Sequence, residues 1–319
     1  MKQNFVFAYL LLIICFGFET FGQSEKQKSV LRFVENPIVT PAFSISIGEN
    51  INGPSLIKVP DWVSNPLGKY YLYFAHHNGK FIRLAYADNL KGPWKIYEPG
   101  TLNLSQTICS SHIASPDAHI DEATKEIRMY FHGPVKNKKG QYSFFAYSKD
   151  GINFSAGNEI LGESYFRVFN WNKYYYAVAK GGEIYRSADG KNNFEYGGNP
   201  FPDQDTNAVH IRHVALDLSN DTLSIYYSNI GDAPESIVMA KIILSGDWKK
   251  WKAIKPVVII KSEFDYEGSE LPIKVSNSGA AKSKLHELRD PAVYKEGNKT
   301  YLLYSVAGES GIAIAELRN

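Results

Sequence analysis

Gly53-Pro54-Ser55-Leu56-Ile57, Ser115-Pro116-Asp117-Ala118-His119, Tyr165-Phe166-Arg167-Val168-Phe169, His213-Val214-Ala215-Leu216 and Asp290-Pro291-Ala292-Val293-Tyr294 repeat one pattern along the chain. Each opens an apolar run, and each is followed after a turn by a second strand-like run: Tyr70–Ala75, Ile127–Phe131, Tyr174–Val178, Leu223–Tyr227 and Tyr301–Ser305. A period of about 50 residues, rich in β-branched and aromatic residues and punctuated by turns, is the pattern of a radial array of β-sheets. Working outward from each copy gives the remaining strands. The expectation is an all-β chain folded as a five-bladed β-propeller.

Blade one reads Ser55–Val59, Tyr70–Ala75, Ile82–Ala87 and Trp94–Tyr97. Blade two reads Asp117–Asp121, Ile127–Phe131, Tyr142–Ser148 and a short strand at Phe154. Blade three reads Phe166–Phe169, Tyr174–Ala179, Glu183–Ser187 and Phe194–Tyr196, and blade four Val214–Leu218, Thr222–Ser228, Ile237–Ile243 and a strand near Trp251 to Ile260. The turns Ser148-Lys149-Asp150-Gly151 and Ser187-Ala188-Asp189-Gly190 fall at equivalent places, so Asp-Gly reads as a turn device rather than a metal loop. Blade five has Ala292–Lys295, Tyr301–Ser305 and Ile312–Leu317 and lacks a fourth strand. The extended segment Val30–Val39 supplies it, closing the ring and covering an open edge.

In such a ring the starts of first strands and the loops between second and third strands share one rim. That rim collects Asn52, His112, Ser115, Asp117, Arg212, His213, Arg289 and Asp290 from strand starts. The loops add His76-His77, His132, Gly231 to Glu235 and Gly308-Glu309. Polar residues gathered on one rim point to a functional pocket there.

The first residues read differently. Lys2, the apolar run Phe5 to Phe18 and Thr20-Phe21-Gly22 form a secretory signal peptide over residues 1–22, leaving residues 23–319 as one propeller domain. The run is too short for a stable membrane span, and Cys15 lacks the small-residue context of a lipoprotein site. A secreted or periplasmic location, with no membrane contact after cleavage, is expected. Cys109 is then the remaining cysteine, so no internal disulfide forms. The net charge is +2 and the lysines are scattered, which argues against nucleic acid. With 21 tyrosines among the aromatic residues, strand preference accounts for most of them, and sugar platforms for few. Oligomeric state is not legible.

Pro116 with Asp117-Ala118-His119-Ile120-Asp121, and Arg289-Asp290-Pro291-Ala292-Val293-Tyr294 before Tyr301-Leu302-Leu303-Tyr304-Ser305, resemble blade starts of the five-bladed propeller glycosidases. These include the arabinanase and β-xylosidase group, the invertase and levansucrase group, and the neoagarobiose hydrolases. The resemblance covers the mature chain at the level of repeat architecture and is residue-specific only in Ser-Pro-Asp and Arg-Asp-Pro. It implies cleavage of glycosidic bonds by acidic residues at the bottom of a funnel. The chain departs from that pattern. Asn52-Gly53-Pro54-Ser55 stands where blade one of such enzymes places an aspartate, Ser115 stands at the second-blade position, and no Glu-Gly-Pro follows Glu163.

Glycoside hydrolysis needs a proton donor and a base or nucleophile on either side of the bond. Asp117 and Asp290 open first strands, and Ser115, Asp117 and His119 alternate onto one strand face. The segment from Lys261 to Glu287 is too long for a plain connection, and its Asp265-Tyr266-Glu267 offers a rim carboxylate. The expected catalytic set is therefore Asp117, Glu267 and Asp290. Asp117 and Asp290 have a bland counterpart in tying neighbouring blades together. Arg167, Arg212 and Arg289 come from three blades and are expected either to hold channel carboxylates or to clamp an acidic or sulfated sugar. Asn52, His77, His119 and His213 complete the expected substrate contacts. No zinc spacing, Walker loop, dinucleotide fingerprint or Gly-x-Ser-x-Gly elbow is present. No cofactor or catalytic metal is expected, and the central channel could hold a structural Ca²⁺ or water. The sequence thus points to an exported, exo-acting glycoside hydrolase on carbohydrate. A non-catalytic glycan-binding propeller and a lyase on the same scaffold are the alternatives.

Overall fold

The structure, a computed structural model, describes residues 29–201 and 210–318. The expected leader, residues 1–22, lies outside them. Among the described residues, no helix is long and apolar enough to cross a membrane.

Five antiparallel sheets follow one another around a channel. Strand β1 (Ser29–Arg32) comes first. Blade one is β2 (Asn52–Lys58), β3 (Tyr70–Ala75), β4 (Arg83–Ala87) and β5 (Lys95–Ile96). Blade two is β6 (Ala114–Asp121), β7 (Glu126–Gly133) and β8 (Tyr142–Ser148), with β9 (Ser155–Ala156) and β10 (Gly162–Glu163) both pairing with β8 as a divided outer strand. Blade three is β11 (Arg167–Trp171), β12 (Tyr174–Val178), β13 (Ile184–Ser187) and β14 (Glu195–Gly198). Blade four is β15 (His210–Ser219), β16 (Thr222–Ile230), β17 (Ile237–Ile243) and β18 (Val257–Ile260). Blade five is β19 (Arg289–Glu296), β20 (Lys299–Ser305) and β21 (Ile312–Arg318), closed by β1, whose Val30 pairs with Leu317.

The closing segment is shorter and more broken than the expected Val30–Val39 strand. Pairing stops after Arg32, and Val39 rejoins β21 through a single bridge to Ile312. Pro37 has no N–H to give. Beside it the Asn36 side chain donates to the Ile314 carbonyl at 2.8 Å and accepts from the Ile314 N–H at 2.9 Å, standing in for a peptide group.

Apolar residues fill the spaces between blades, as with Tyr71, Leu84, Ile113, Met129 and Phe144 between blades one and two. The tyrosines on second strands have a mechanical role. Tyr73 Oη donates to the Gly151 carbonyl at 2.8 Å, and Tyr130 Oη donates to the Gly190 carbonyl at 2.6 Å. Each ties its blade to the Asp-Gly turn of the next. Those turns are built by side chains: Asp150 Oδ1 accepts from the N–H groups of Ile152 and Asn153, and Asp189 Oδ1 from those of Lys191 and Asn192. Such locally capped turns let the blades repeat with one geometry.

Candidate active site at the channel mouth

Four first strands carry a bulge at the same place. Residues 53–54 face a single residue of β3, because Asn52 pairs with Ala75 and Ser55 with Tyr73. The same skip recurs at 115–116, 212–213 and 290–291. Gly53, Ser115 and Asp290 take positive φ there (57°, 48° and 49°), and Tyr165, just before β11, takes 69°. A bulge re-aims the side chains it carries. Gly53, Ser115, Arg212 and Asp290 are therefore equivalent by register, and proline follows three of them.

The re-aimed residues meet. Ser115 Oγ lies 3.2 Å from His213 Nε2, and His213 Nδ1 is hydrogen-bonded to Asp290 Oδ1. The Tyr165 ring packs edge-on between His132 and His213, with centroids 4.2 and 3.9 Å away. A cavity of about 10 Å³, the size of one water, is lined by these residues except Asp290 and also by Asn52, His77, His112 and Gln141. Ser115, His132, His213 and Asn52 are buried, whereas His77, His112, Gln141 and Tyr165 are half-exposed. Burial works against the Asp290 charge. His213, Arg212 and Arg289 nevertheless hold its carboxyl well below the usual carboxylate range. His132 is driven the other way: burial first, then the neighbouring His213, His112 and His77, keep its imidazole neutral. Asp290 Oδ2 and His132 Nδ1 are buried without a hydrogen-bond partner.

A larger cavity, of about 760 Å³, adjoins through His76-His77 and Asn50. Glu309, Asn50, Tyr266, Lys282 and Lys284 are among its lining residues, and the segment after β1 and the insertion after β18 form its walls. The Glu309 carboxylate accepts from the Asn50 side chain and from the Ala281 N–H at 3.2 Å, and lies 3.7 Å from His77 Nδ1 and 3.4 Å from Arg289 Nη1. Burial opposes its charge and so does Asp290, but the neighbouring His77 and a hydrogen bond from Asn50 bring its carboxyl below the ordinary value. Glu309 was not among the expected catalytic acids. Its loop is the blade-five counterpart of the loops carrying His76-His77, His132 and Glu235, which is the signal that finds it.

The other expected residues are distributed as follows. Asp290 and His213 lie together at the channel mouth, while Asn52 and His77 line the small cavity. Asp117 does not join them. It sits beyond the bulge, on the part of the channel that opens to the opposite rim, where it accepts from the Val168 N–H at 2.8 Å and contacts His119 Nε2 at 2.7 Å. Its buried carboxyl resists charging but is lowered by His119 and then Arg167. This is an inter-blade tie. Glu267 is fully buried in a short 3-10 turn and accepts from Arg32 Nε and Tyr304 Oη, each at 2.7 Å. It anchors the insertion to β1 and β20 and lines neither cavity of the mouth. Glu163 is exposed on the outer strand of blade two.

The arginines hold protein groups. Arg212 forms a two-point pair with Glu235 at 2.7 and 3.0 Å, and Arg289 pairs with Glu287, Glu235 and Glu309. Arg167 lies across the channel and donates to the carbonyls of Val214, Pro116 and Pro54. A guanidinium thus meets the carbonyl ring that a channel cation would use, and these residues do not fit a Ca²⁺ at that level. No cluster of three or more metal-ligating side chains occurs among the described residues.

Ring and closure define the fold: the molecule is a five-bladed β-propeller, the fold shared by solved glycoside hydrolases. It superposes on a family 43 β-xylosidase/α-arabinofuranosidase from a compost metagenome with a TM-score of 0.62 at 14% identity, covering 90% of this chain and 94% of that one. The α-L-arabinofuranosidase of Lactobacillus brevis gives 0.58 at 13% identity, over 88% and 92%. A family 130 structure, from work on glycoside hydrolases that target β-1,2-mannosidic linkages in Candida mannan, gives 0.64 at 9% identity, over 92% and 94%. No family model matches the sequence. In sequence the chain is 40% identical to uncharacterized protein R118 of Acanthamoeba polyphaga mimivirus, over 90% of each, and it belongs to that protein's family.

Proposed function

We propose that this protein is an exported glycoside hydrolase that removes a terminal sugar at the channel mouth. The observation carrying this reading is the placement of Glu309 on the wall of the larger cavity, beside a second acid–base group, the Asp290–His213 pair. Glu309, kept ionised by His77 and Asn50, is the base or nucleophile, and His213, oriented by Asp290, is the proton donor. A cavity of about 760 Å³ suits one or two sugar rings, and its walls, built by the segment after β1 and the insertion, favour the end of a chain over its middle. The fold neighbours named above support the same chemistry. Arg212 and Arg289 are already bound by carboxylates, so a preference for an acidic or sulfated sugar rests on Lys282 and Lys284. Export rests on the leader reading of residues 1–22.

Reducing-end release from a panel of plant and algal oligosaccharides tests the reading. E309Q is expected to lower kcat by about 100-fold or more, the usual loss on removing a catalytic acid or base, with the fold intact. E267Q is expected to lower the melting temperature instead. A parent protein that binds these glycans and releases nothing would replace hydrolysis with glycan binding, the reading favoured by Asn52 and Ser115 at positions where an acid was expected.

A further inference from the structure

We propose that Ser115, His213 and Asp290 form an acyl-transfer triad, giving the channel mouth a second activity: hydrolysis of small carboxylic esters, with O-acetyl groups on sugars as the natural class. The three residues come from blades two, four and five, so no local sequence constraint places them together. Their order of contact is that of a serine hydrolase: hydroxyl to Nε2 at 3.2 Å, and Nδ1 to a buried carboxylate. Asp290 is fully buried, and Arg212 and Arg289 favour its ionised form, as an orienting carboxylate requires. The His213 ring is further fixed by Tyr165. Ser115 sits at φ 48° on its bulge, a left-handed backbone that turns the hydroxyl toward the small cavity instead of along the sheet.

The same cavity offers a donor for the developing negative charge. Pro116 follows the serine and has no N–H, so the backbone donor after the nucleophile is missing and a side chain is expected to take its place. His132 lines the cavity, is neutral, and has a buried Nδ1 without a partner. In the reaction Ser115 Oγ bonds to the ester carbonyl carbon while His213 Nε2 takes the hydroxyl proton. The carbon–alkoxide bond then breaks, and His213 returns the proton to the departing alcohol. Water attacks the acyl-serine, giving its proton to His213 and then to Ser115 Oγ, and the carboxylic acid leaves. The cavity of about 10 Å³ has room for about one water, so the smallest acyl group, acetyl, is the one expected on Ser115. The triad makes no use of Glu309, and only the choice of a sugar as the alcohol rests on the glycan reading.

The test uses a fluorophosphonate, which labels activated serines irrespective of any sugar, on the full chain. One adduct is expected, on the peptide carrying Ser115, with none in S115A and labelling slowed by on the order of 100-fold in H213Q. A second measurement follows p-nitrophenyl esters: acetate is expected to turn over at least about 10-fold faster than octanoate, and S115A to fall to the buffer rate. Folding of each variant is checked by thermal melting. A folded parent left unlabelled at Ser115, or H213Q labelled at the parent rate, would overturn the triad. His213 and Asp290 serve both proposed reactions, but glycosidase activity is read separately, by reducing-end release and E309Q, so either reading can fail while the other stands.

Discussion

Asp117 and Asp290 are matched in the sequence, each beside a proline at the start of a first strand, and the structure gives them opposite tasks. Asp290 occupies the bulge itself and reaches His213. Asp117 lies two residues past the equivalent position and turns to the Val168 N–H of the next blade. His132 gives this scale its prediction. Its folded pKa is lowered by burial, so as pH falls below about 6.5 the unfolded chain takes up a proton that the fold refuses. The contribution is therefore fully present above that pH and is lost as pH falls toward the folded value. Urea unfolding at pH 7.5 and 5.5 should show the parent losing stability across this window. H132Q should lose less, the slopes differing by up to about 1.4 kcal/mol per pH unit. Equal slopes would mean that His132 does not carry the effect.

Strand β1 and the stretch that follows it show what one element does for the ring. It covers the edge of β21, and through Arg32 it also receives Glu267, so the insertion and the closing strand are held by the same ion pair, its carboxylate buried and its guanidinium partly so. A chain beginning at Phe43 would expose the β21 edge and leave Glu267 without its guanidinium. It is expected to aggregate or to melt well below the parent, since breaking a buried pair alone costs about 3–5 kcal/mol. N36A is the gentler version. It removes both side-chain bonds to Ile314 and should cost about 1–3 kcal/mol in denaturant titration. A truncated chain with the parent's melting temperature would show that the ring does not depend on this closure.

At the scale of the whole molecule, Arg167 joins blades that share no sheet. From blade three it reaches the carbonyls of Pro54, Pro116 and Val214, in blades one, two and four, and it also faces Asp117. R167M keeps the volume and removes the donors, leaving three buried carbonyls unpaired and Asp117 with only the Val168 N–H and His119. A loss of about 3–5 kcal/mol is expected, with unfolding remaining a single transition because the blades still pack through their cores. Loss of one blade's signal ahead of the rest in R167M would instead assign Arg167 to local packing.

The sequence by itself determined the ring. Strand periodicity, the Asp-Gly turns and the five spaced blade starts are local signals repeated at a fixed interval, and a missing strand in blade five is a counting result that requires closure. It also determined which segments share the rim, since strand order alone decides that. The partners of each rim group were left to the tertiary structure. Ser115, His213 and Asp290 are separated by 98 and 77 residues and meet through bulges, of which the chain marks those at Ser115 and Asp290 by a following proline and the one at His213 by nothing. Glu267 and Arg212 carry the same charges whether they face a sugar or each find a buried partner. Only the packing of the insertion against β1, and of the loop between β16 and β17 against β15, decides between those roles, because an ion pair forms wherever the fold brings opposite charges into a space that excludes water.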